Sequence, residues 1–386
     1  MTIPRRRQAT GSRPAGPDVI DAPGLVCYVP CALIRLSTGK AGFSMITPAN
    51  VRDFGAIGDG VTDDTLAIRS AIAALPGPGG VLFFPPGHYL TDTIFPPHHI
   101  TLRGDSAFGY QEPGGTIISP VRPFIPRLID LNGKHGVRME GLTFHGRDLE
   151  GDIVGIFAAR GGAHEQNIVI ENCRVEHFSG TGVHLSESHV WNLRHSIFIY
   201  NGGHGLDAGT AFDGWIHDCM FVANGGWGVV AGNSISIHGS RIEHNREGGL
   251  TVNRYYSQHL QICGNLFCSD HGPSIEMLEG NVRAISITGN TIRNGGRSAN
   301  GNADRDCHVR LEGVRGLAFT GNVIHILWCN TPATGMILKG LQYSVVANNT
   351  LFKGAMRELI RDMGGHVDSQ IGPNPGCLKD PNDLDS

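Results

Sequence analysis

Apolar residues recur along this chain at a spacing too long for a helix or a hairpin. Val183, Leu206, Val229, Leu250 and Ile275 are separated by steps of 23, 23, 21 and 25 residues, and Val309 and Ile337 follow after 34 and 28. Each anchor follows a turn-like stretch such as Gly180-Thr181-Gly182, Gly203-His204-Gly205 or Gly226-Trp227-Gly228. A second column, Val175, Phe198, Phe221, Ile242, Phe267, Ile292 and Ile324, steps alongside the first. Short alternating runs, among them Asn167-Ile168-Val169-Ile170, Ser234-Ile235-Ser236-Ile237 and Ala284-Ile285-Ser286-Ile287, read as strands rather than helix. A period in this range signals a solenoid, in which each repeat buries its apolar face against its neighbours.

Three strands per repeat predict an all-β fold, a right-handed parallel β-helix. The pattern covers about eight coils from Gly136 to Leu351, with an earlier coil or two around Val81 and Ile100. The two long steps predict inserted loops, one of them from Gly295 to Cys307 with Asp304, Arg305 and Asp306. The length would allow two domains, but a solenoid grows by adding coils. One domain over residues 45–363 is expected, followed by a C-terminal tail or cap over 364–386 with Pro373, Pro375 and Pro381.

The same stacking accounts for polar residues that would otherwise read as catalytic. Phe178, Asn201, Asn224, Asn245 and Asp270 occupy one turn position in successive coils, and Cys173, Ser196, Cys219, Ser240, Asn265, Asn290 and Asn322 occupy another. Asn at one turn position reads as a ladder of side-chain amides between coils.

Composition narrows the class. Gly makes up 55 of 386 residues, only 17% of the chain is charged, and the formal net charge of −4 gives no reason to expect a nucleic-acid partner. Nine cysteines without a CxxC pair or a zinc spacing imply neither a disulfide framework nor a zinc site. No apolar run reaches the length needed to span a membrane. Residues 1–44 carry Arg5-Arg6-Arg7, several prolines and an apolar run from Gly24 to Ile34. Pro30 interrupts that run and the basic cluster sits far from it. This favours a disordered or misassigned extension, with Met45 as the true start, over a degenerate export signal. The compartment is left open.

The stretch Asn50-Val51-Arg52-Asp53-Phe54-Gly55-Ala56-Ile57-Gly58-Asp59-Gly60-Val61-Thr62-Asp63-Asp64-Thr65 leads into Leu66-Ala67-Ile68-Arg69-Ser70-Ala71-Ile72 and ends in Gly79-Gly80-Val81-Leu82-Phe83-Phe84-Pro85-Pro86-Gly87-His88-Tyr89. It resembles the entry segment of the pectate-lyase-like superfamily, which includes polygalacturonases, rhamnogalacturonases, related glycan hydrolases and many phage tailspikes. The resemblance implies the β-helix fold and, because β-helix proteins often trimerise, a homotrimer as the oligomer to expect; it does not specify a reaction. Read physically, Thr62 or Asp63 caps a short N-terminal helix whose stripe of Leu66, Ile68, Ile72 and Leu75 covers the open end of the solenoid. Asp59, Asp63 and Asp64 then serve turn and cap rather than a metal.

Chemistry is expected on the outward face of a strand ladder. One residue after each anchor points out: His184, Asp207, Val230, Thr251, Glu276 and Arg310. With coils about 4.8 Å apart, His184 and Asp207 would be close enough to interact. Asp207 and Glu276 would be roughly 14 Å apart on that spacing, too far for the carboxylate pair of most glycosidases, unless Asp213 completes a pair. Gly203-His204-Gly205-Leu206-Asp207 is similar to the Gly-His-Gly segment of polygalacturonases, which makes His204 the counterpart of their active-site histidine. The rest of that pattern is missing: Thr181 stands where that family has an aspartate, and Thr251 and Asn253 stand where it has an Arg-x-Lys pair. The plain alternative for His204 is a bulky turn residue in column with Trp227.

A lyase needs a base, a group neutralising the uronate carboxylate and often an acid. Asn253-Arg254-Tyr255-Tyr256-Ser257-Gln258-His259 follows a ladder strand; Arg254 could hold a sugar carboxylate and a tyrosine could stack or transfer a proton. His184, His189, His204 and His244 add titrating groups in adjacent coils, although histidine is common here, at 19 in all. Asp213 and Trp215 read as a sugar subsite in a loop after the His204 strand. The expected catalytic set is therefore Asp207, His204, His184, Asp213 and Glu276, with Arg254, Tyr255, Trp215 and Arg310 binding substrate. No cofactor is called for; calcium stays open because acids on adjacent coils could form a cage. Two functions follow: an enzyme cleaving glycosidic bonds of a poly- or oligosaccharide by hydrolysis or elimination, or a non-catalytic glycan-binding or tailspike-like scaffold.

Overall fold

The computed structural model describes residues 48–376, apart from 77–78, 106–108, 162–164, 254, 298–301 and 327–330. The N-terminal extension and Arg254 therefore lie outside the described residues.

The strands stack in three parallel sheets of 13, 12 and 10 strands. One coil runs through Val183–Ser186 in the ten-stranded sheet, His189–Arg194 in the thirteen-stranded sheet and Ile197–Ile199 in the twelve-stranded sheet, and Leu206–Asp207 begins the next. The chain is thus an all-β parallel solenoid, and Thr65–Ala73 is the one α-helix among the described residues.

Side chains alternate across each strand, so every second residue of a coil lies directly above its counterpart inside the barrel. Val183, Leu206, Val229, Leu250, Ile275 and Val309 pair in that order. The residue opposite Val309 is Met336, one before the expected Ile337, which instead faces Arg310. Both residues are apolar and the preceding loop is long, so the pattern alone could not fix that register, although a slip of one residue exchanges the faces. The second column is paired throughout, from Val175 to Ile324 and on to Leu351. Within it Phe198 and Phe221 stack with centroids 4.8 Å apart and planes 11° from parallel, close to the rise between coils.

The amide ladders form at the corners. Asn201 Nδ2 donates to Asn224 Oδ1, Asn224 Nδ2 to Asn245 Oδ1, and Asn245 Nδ2 to Asp270 Oδ1, each at 3.0 Å. Each amide also donates to a main-chain carbonyl, those of Val175, Phe198 and Phe221. This ladder explains the glycine before each of the first four anchors. A Cβ on Gly205 or Gly228 would come within 2.8 Å of the Nδ2 of Asn224 or Asn245. The second ladder runs from Asn265 through Asn290, Asn322 and Asn349 to Asn374. With the strand Gln370–Ile371 it carries the solenoid past Gly364, into the stretch that the sequence pattern reads as a tail or a cap.

At the N-terminal end the cap position is held by Asp64 without a side-chain cap bond, rather than by Thr62 or Asp63; Asp63, one residue outside it, accepts from the Thr65 N–H at 2.9 Å in a local turn. Asp64 turns inward and accepts from the N–H groups of Ile57 and Gly58. Ile68 and Ala71 join the core, whereas Leu66, counted in the apolar stripe, is 76% exposed. Both acids therefore hold backbone.

Candidate functional site

The outward row of the ten-stranded sheet is in the expected register. Phe157 lies opposite His184, His184 opposite Asp207, then Val230, Thr251, Glu276 and Arg310. The Arg127 guanidinium sits 4.0 Å from the centre of the Phe157 ring. Phe157 meets His184 edge-on at 5.3 Å, and His184 Nε2 lies 3.8 Å from Asp207 Oδ2. The other Asp207 oxygen accepts from the Gly209 N–H at 3.0 Å, so the carboxylate is aimed by the turn that follows it.

That turn opens a recess of about 420 Å³ at the edge between the ten- and thirteen-stranded sheets. Its cause is legible in the chain. The step from Val229 to Leu250 is the shortest of the column, and it falls on the coil whose turn is reduced to Gly232 between strands Trp227–Ala231 and Asn233–His238. The turns on either side, Ala208 to Ala211 and Asn253 to Tyr256, are longer and stand up as walls. A Cβ on Gly232 would lie 2.4 Å from the Ala211 carbonyl oxygen, so only glycine fits there. Asn253 Nδ2 reaches over the short coil to the Gly209 carbonyl at 2.9 Å and braces the walls together.

Arg160, Glu187, His189, Phe212, Asn233 and Tyr256 line this recess. The His189 ring stacks on Phe212, with centroids 4.4 Å apart and planes 10° from parallel. Its Nδ1 lies 3.4 Å from Asp213 Oδ2. Asp213 can reach it because its backbone is left-handed, with φ of 55°.

Several expected site residues fall elsewhere. His204 sits in a turn where its Nδ1 accepts from the Trp227 N–H at 2.9 Å and its own N–H reaches Thr181 Oγ1. It occupies a rung of a turn ladder. Glu276 faces outward but is only 5% exposed. Arg305, from the inserted loop, and Arg310 both contact its Oε1, at 3.1 and 3.5 Å. Arg310 is also held by Glu312 at 2.8 Å, so neither residue is poised for a substrate. Trp215 is in the strand Phe212–His217, not in a loop, and stands on the thirteen-stranded sheet between Asn192 and Ser236. Tyr255 is 79% exposed and outside the recess lining; its neighbour Tyr256 forms the wall. Among the described residues no group of three or more His, Cys, Asp or Glu side chains is placed to hold a metal ion.

Residues 49–112 match the family described as rhamnogalacturonase A/epimerase, pectate lyase-like, and residues 154–314 match the right-handed β-helix region. The chain belongs to the pectate-lyase-like superfamily. Mannuronan C5-epimerase AlgE6 of Azotobacter vinelandii is 31% identical over 181 residues, covering 43% of this chain and 21% of that protein. A capsule K30/K69-specific depolymerase of Klebsiella phage K64-1 is 26% identical over 297 residues, 73% of this chain and 34% of the phage protein. The chain thus spans about a third or less of the length of these relatives. The solved A-module of AlgE6 superposes with a TM-score of 0.60 over 84% of this chain and 98% of the module; at 22% identity that likeness speaks for the fold.

In this pectate-lyase-like chain the missed residues are His189 as a recess residue, Phe212, Tyr256 and Arg160. The available signal was the 21-residue step, which marks the coil whose turn is cut short.

Proposed function

We propose that this protein is a carbohydrate-active enzyme that binds a poly- or oligosaccharide in the recess and transfers a proton at a uronate unit through His189. The contact between His189 and Asp213 carries the reading. A carboxylate against Nδ1 sets the tautomer and leaves Nε2 as the basic nitrogen. Phe212 and Tyr256 give a sugar ring apolar surface, and Arg160 supplies positive charge for its carboxylate. His184 and Asp207, one turn away, form a second pair of the same kind.

Removal of the proton next to a carboxylate leaves an enolate-like anion with two exits. Expulsion of the glycosidic oxygen, protonated by the Tyr256 hydroxyl, is elimination. Return of a proton to the opposite face inverts the centre and leaves the chain intact. The names of the relatives, C5-epimerases and a capsule depolymerase, support a glycan substrate and include both an intact and a cleaved outcome. Hydrolysis by two carboxylates draws less support, because Glu276 is engaged by two arginines.

Incubation with pectic, alginate and fructan-type polysaccharides separates the outcomes. Elimination gives new reducing ends with ultraviolet absorbance of an unsaturated sugar. Hydrolysis gives ends without it, and inversion changes the sugar composition without new ends. None of the three across the panel would favour a non-catalytic glycan-binding or tailspike-like scaffold. The engagement of His204 and Glu276 in structural contacts is the observation on that side.

A further inference from the structure

The edge that carries the recess carries a second one farther up. It has a volume of about 370 Å³, and Glu279, Glu312, Arg315, Lys339 and Gln342 line it with glycines of four successive turns. Gly313 and Gly340 adopt φ of 65° and 58°, conformations that favour glycine. A Cβ on Gly313 would lie 2.9 Å from Glu279 Cγ. The turns therefore stay low and leave a floor of backbone.

The charges in this second recess are unbalanced. Glu312 is already bound by Arg310 at 2.8 Å. Arg315 and Lys339 are both exposed and make no ion pair among the described residues. Arg283 lies directly opposite Arg315 in the next coil, an arrangement of like charges that costs energy unless an anion sits between or above them. Two cations of the lining, Arg315 and Lys339, face one uncommitted carboxylate, Glu279, in a chain whose net charge is −4.

Side-chain bonds and strand pairing together join the two recesses. Tyr256, in the wall of the lower one, accepts from Gln258 Nε2 at 3.3 Å. Gln258 Oε1 accepts from Arg283 Nε at 2.8 Å. From there the link is through the main chain: Arg283 pairs with Arg315 in the next coil, and Arg315 with Gln342 of the upper recess. From the coil of Tyr256 to that of Gln342 is three steps, roughly 14 Å at about 4.8 Å each. An extended glycan of several units could lie along this edge without a break.

We propose that the upper recess is a second subsite of the same groove, in which Arg315 and Lys339 hold the carboxylate of a uronate several units away from the one in the lower recess. This rests on the reading that the lower recess takes a glycan. The consequence is a preference for long acidic chains, with affinity gained from a contact remote from the reacting unit.

The test compares binding of a diuronate, a hexauronate and a neutral hexasaccharide to the wild-type chain and to the double variant Arg315→Gln/Lys339→Gln. Both side chains are exposed, and an unchanged melting temperature confirms that the variant is folded. The expected result is salt-sensitive binding of the hexauronate, weakened about tenfold or more in the variant, with diuronate binding unchanged. Equal hexauronate affinity in both proteins, or a neutral hexasaccharide bound as well as the acidic one, would overturn the upper subsite while diuronate binding upholds the lower one. Failure of the wild-type chain to bind any of the three would overturn both.

Discussion

His189 and Asp213 belong to adjacent coils, and the winding of the solenoid sets Nδ1 of the first 3.4 Å from Oδ2 of the second. His189 stands in the wall of the lower recess, and half-exposed Asp213 supports it from the strand above. Asp213→Asn keeps the shape but removes the charge that orients the imidazole. Turnover is expected to fall about 10²–10⁴-fold, the range for general acid–base catalysis, with little change in melting temperature. Turnover within a few-fold of wild type would remove Asp213 from the site.

Asp207 offers a contrast. Its Oδ1 accepts from the Gly209 N–H, which an asparagine oxygen can also do, while Oδ2 faces His184. Asp207→Asn should therefore leave the turn and the melting temperature intact and lower activity through His184. A loss of stability comparable to the loss of activity would mark Asp207 as a turn residue.

The ladder at Asp270 ends on the wrong residue for its surroundings. Oδ1 accepts from Asn245, but Oδ2 is buried without a hydrogen-bond partner, and burial pushes the carboxyl well above its ordinary range. A raised carboxyl contributes stability at low pH and loses it as pH rises through the raised value. Asp270→Asn would place a donor where the other rungs have one, toward the main-chain carbonyl of Ile242. Stability at neutral pH should increase by about 1–3 kcal/mol, the cost of an unsatisfied buried group; denaturant unfolding at neutral pH checks this. A less stable variant would mean that Oδ2 has a partner.

His308 acts with the opposite sign. Its ring is fully buried with neither nitrogen bonded, and burial lowers its pKa to about 3. Below about pH 6.5 the unfolded chain takes up a proton that the folded chain refuses, so stability falls as pH drops from there toward 3. The share from His308 is about 2 kcal/mol at a pH near 5. His88, His145 and His217, also lowered chiefly by burial, add to it in the same direction. Unfolding of wild type and His308→Gln as a function of pH should show a flatter acid limb in the variant; identical slopes would contradict it.

The core column gives a mechanical check on the winding. Phe221 is fully buried and stacked on Phe198. Phe221→Ala should cost about 3–5 kcal/mol, and a variant as stable as the parent would contradict the packing.

The fold was legible because a solenoid writes its core as a period. Val175 to Ile324 and Val183 to Val309 fall in register as spaced, and Asn201, Asn224 and Asn245 bond as their shared turn position implies. The pairing of His184 with Asp207 followed from the same count. Burial by an inserted loop does not follow from a period, so Arg305 closing over Glu276 was invisible. Nor does spacing tell which of two adjacent tyrosines forms a wall. The Gly-His-Gly segment misled for a physical reason: Gly205 makes room for the amide ladder, Gly203 for the turn below it at Thr181, and His204 joins a turn ladder above Thr181.

Hydrogen exchange at the sugar carbon next to the carboxylate, followed by NMR in deuterated water with an alginate or pectate chain as substrate, reads the proposed proton transfer whether or not the chain is cut. The proposal requires deuterium at that carbon, or loss of its hydrogen to an unsaturated end, with wild-type protein, and none with folded His189→Ala. Exchange that persists undiminished in His189→Ala, or its absence from the wild-type reaction on every uronate polymer tried, would contradict it.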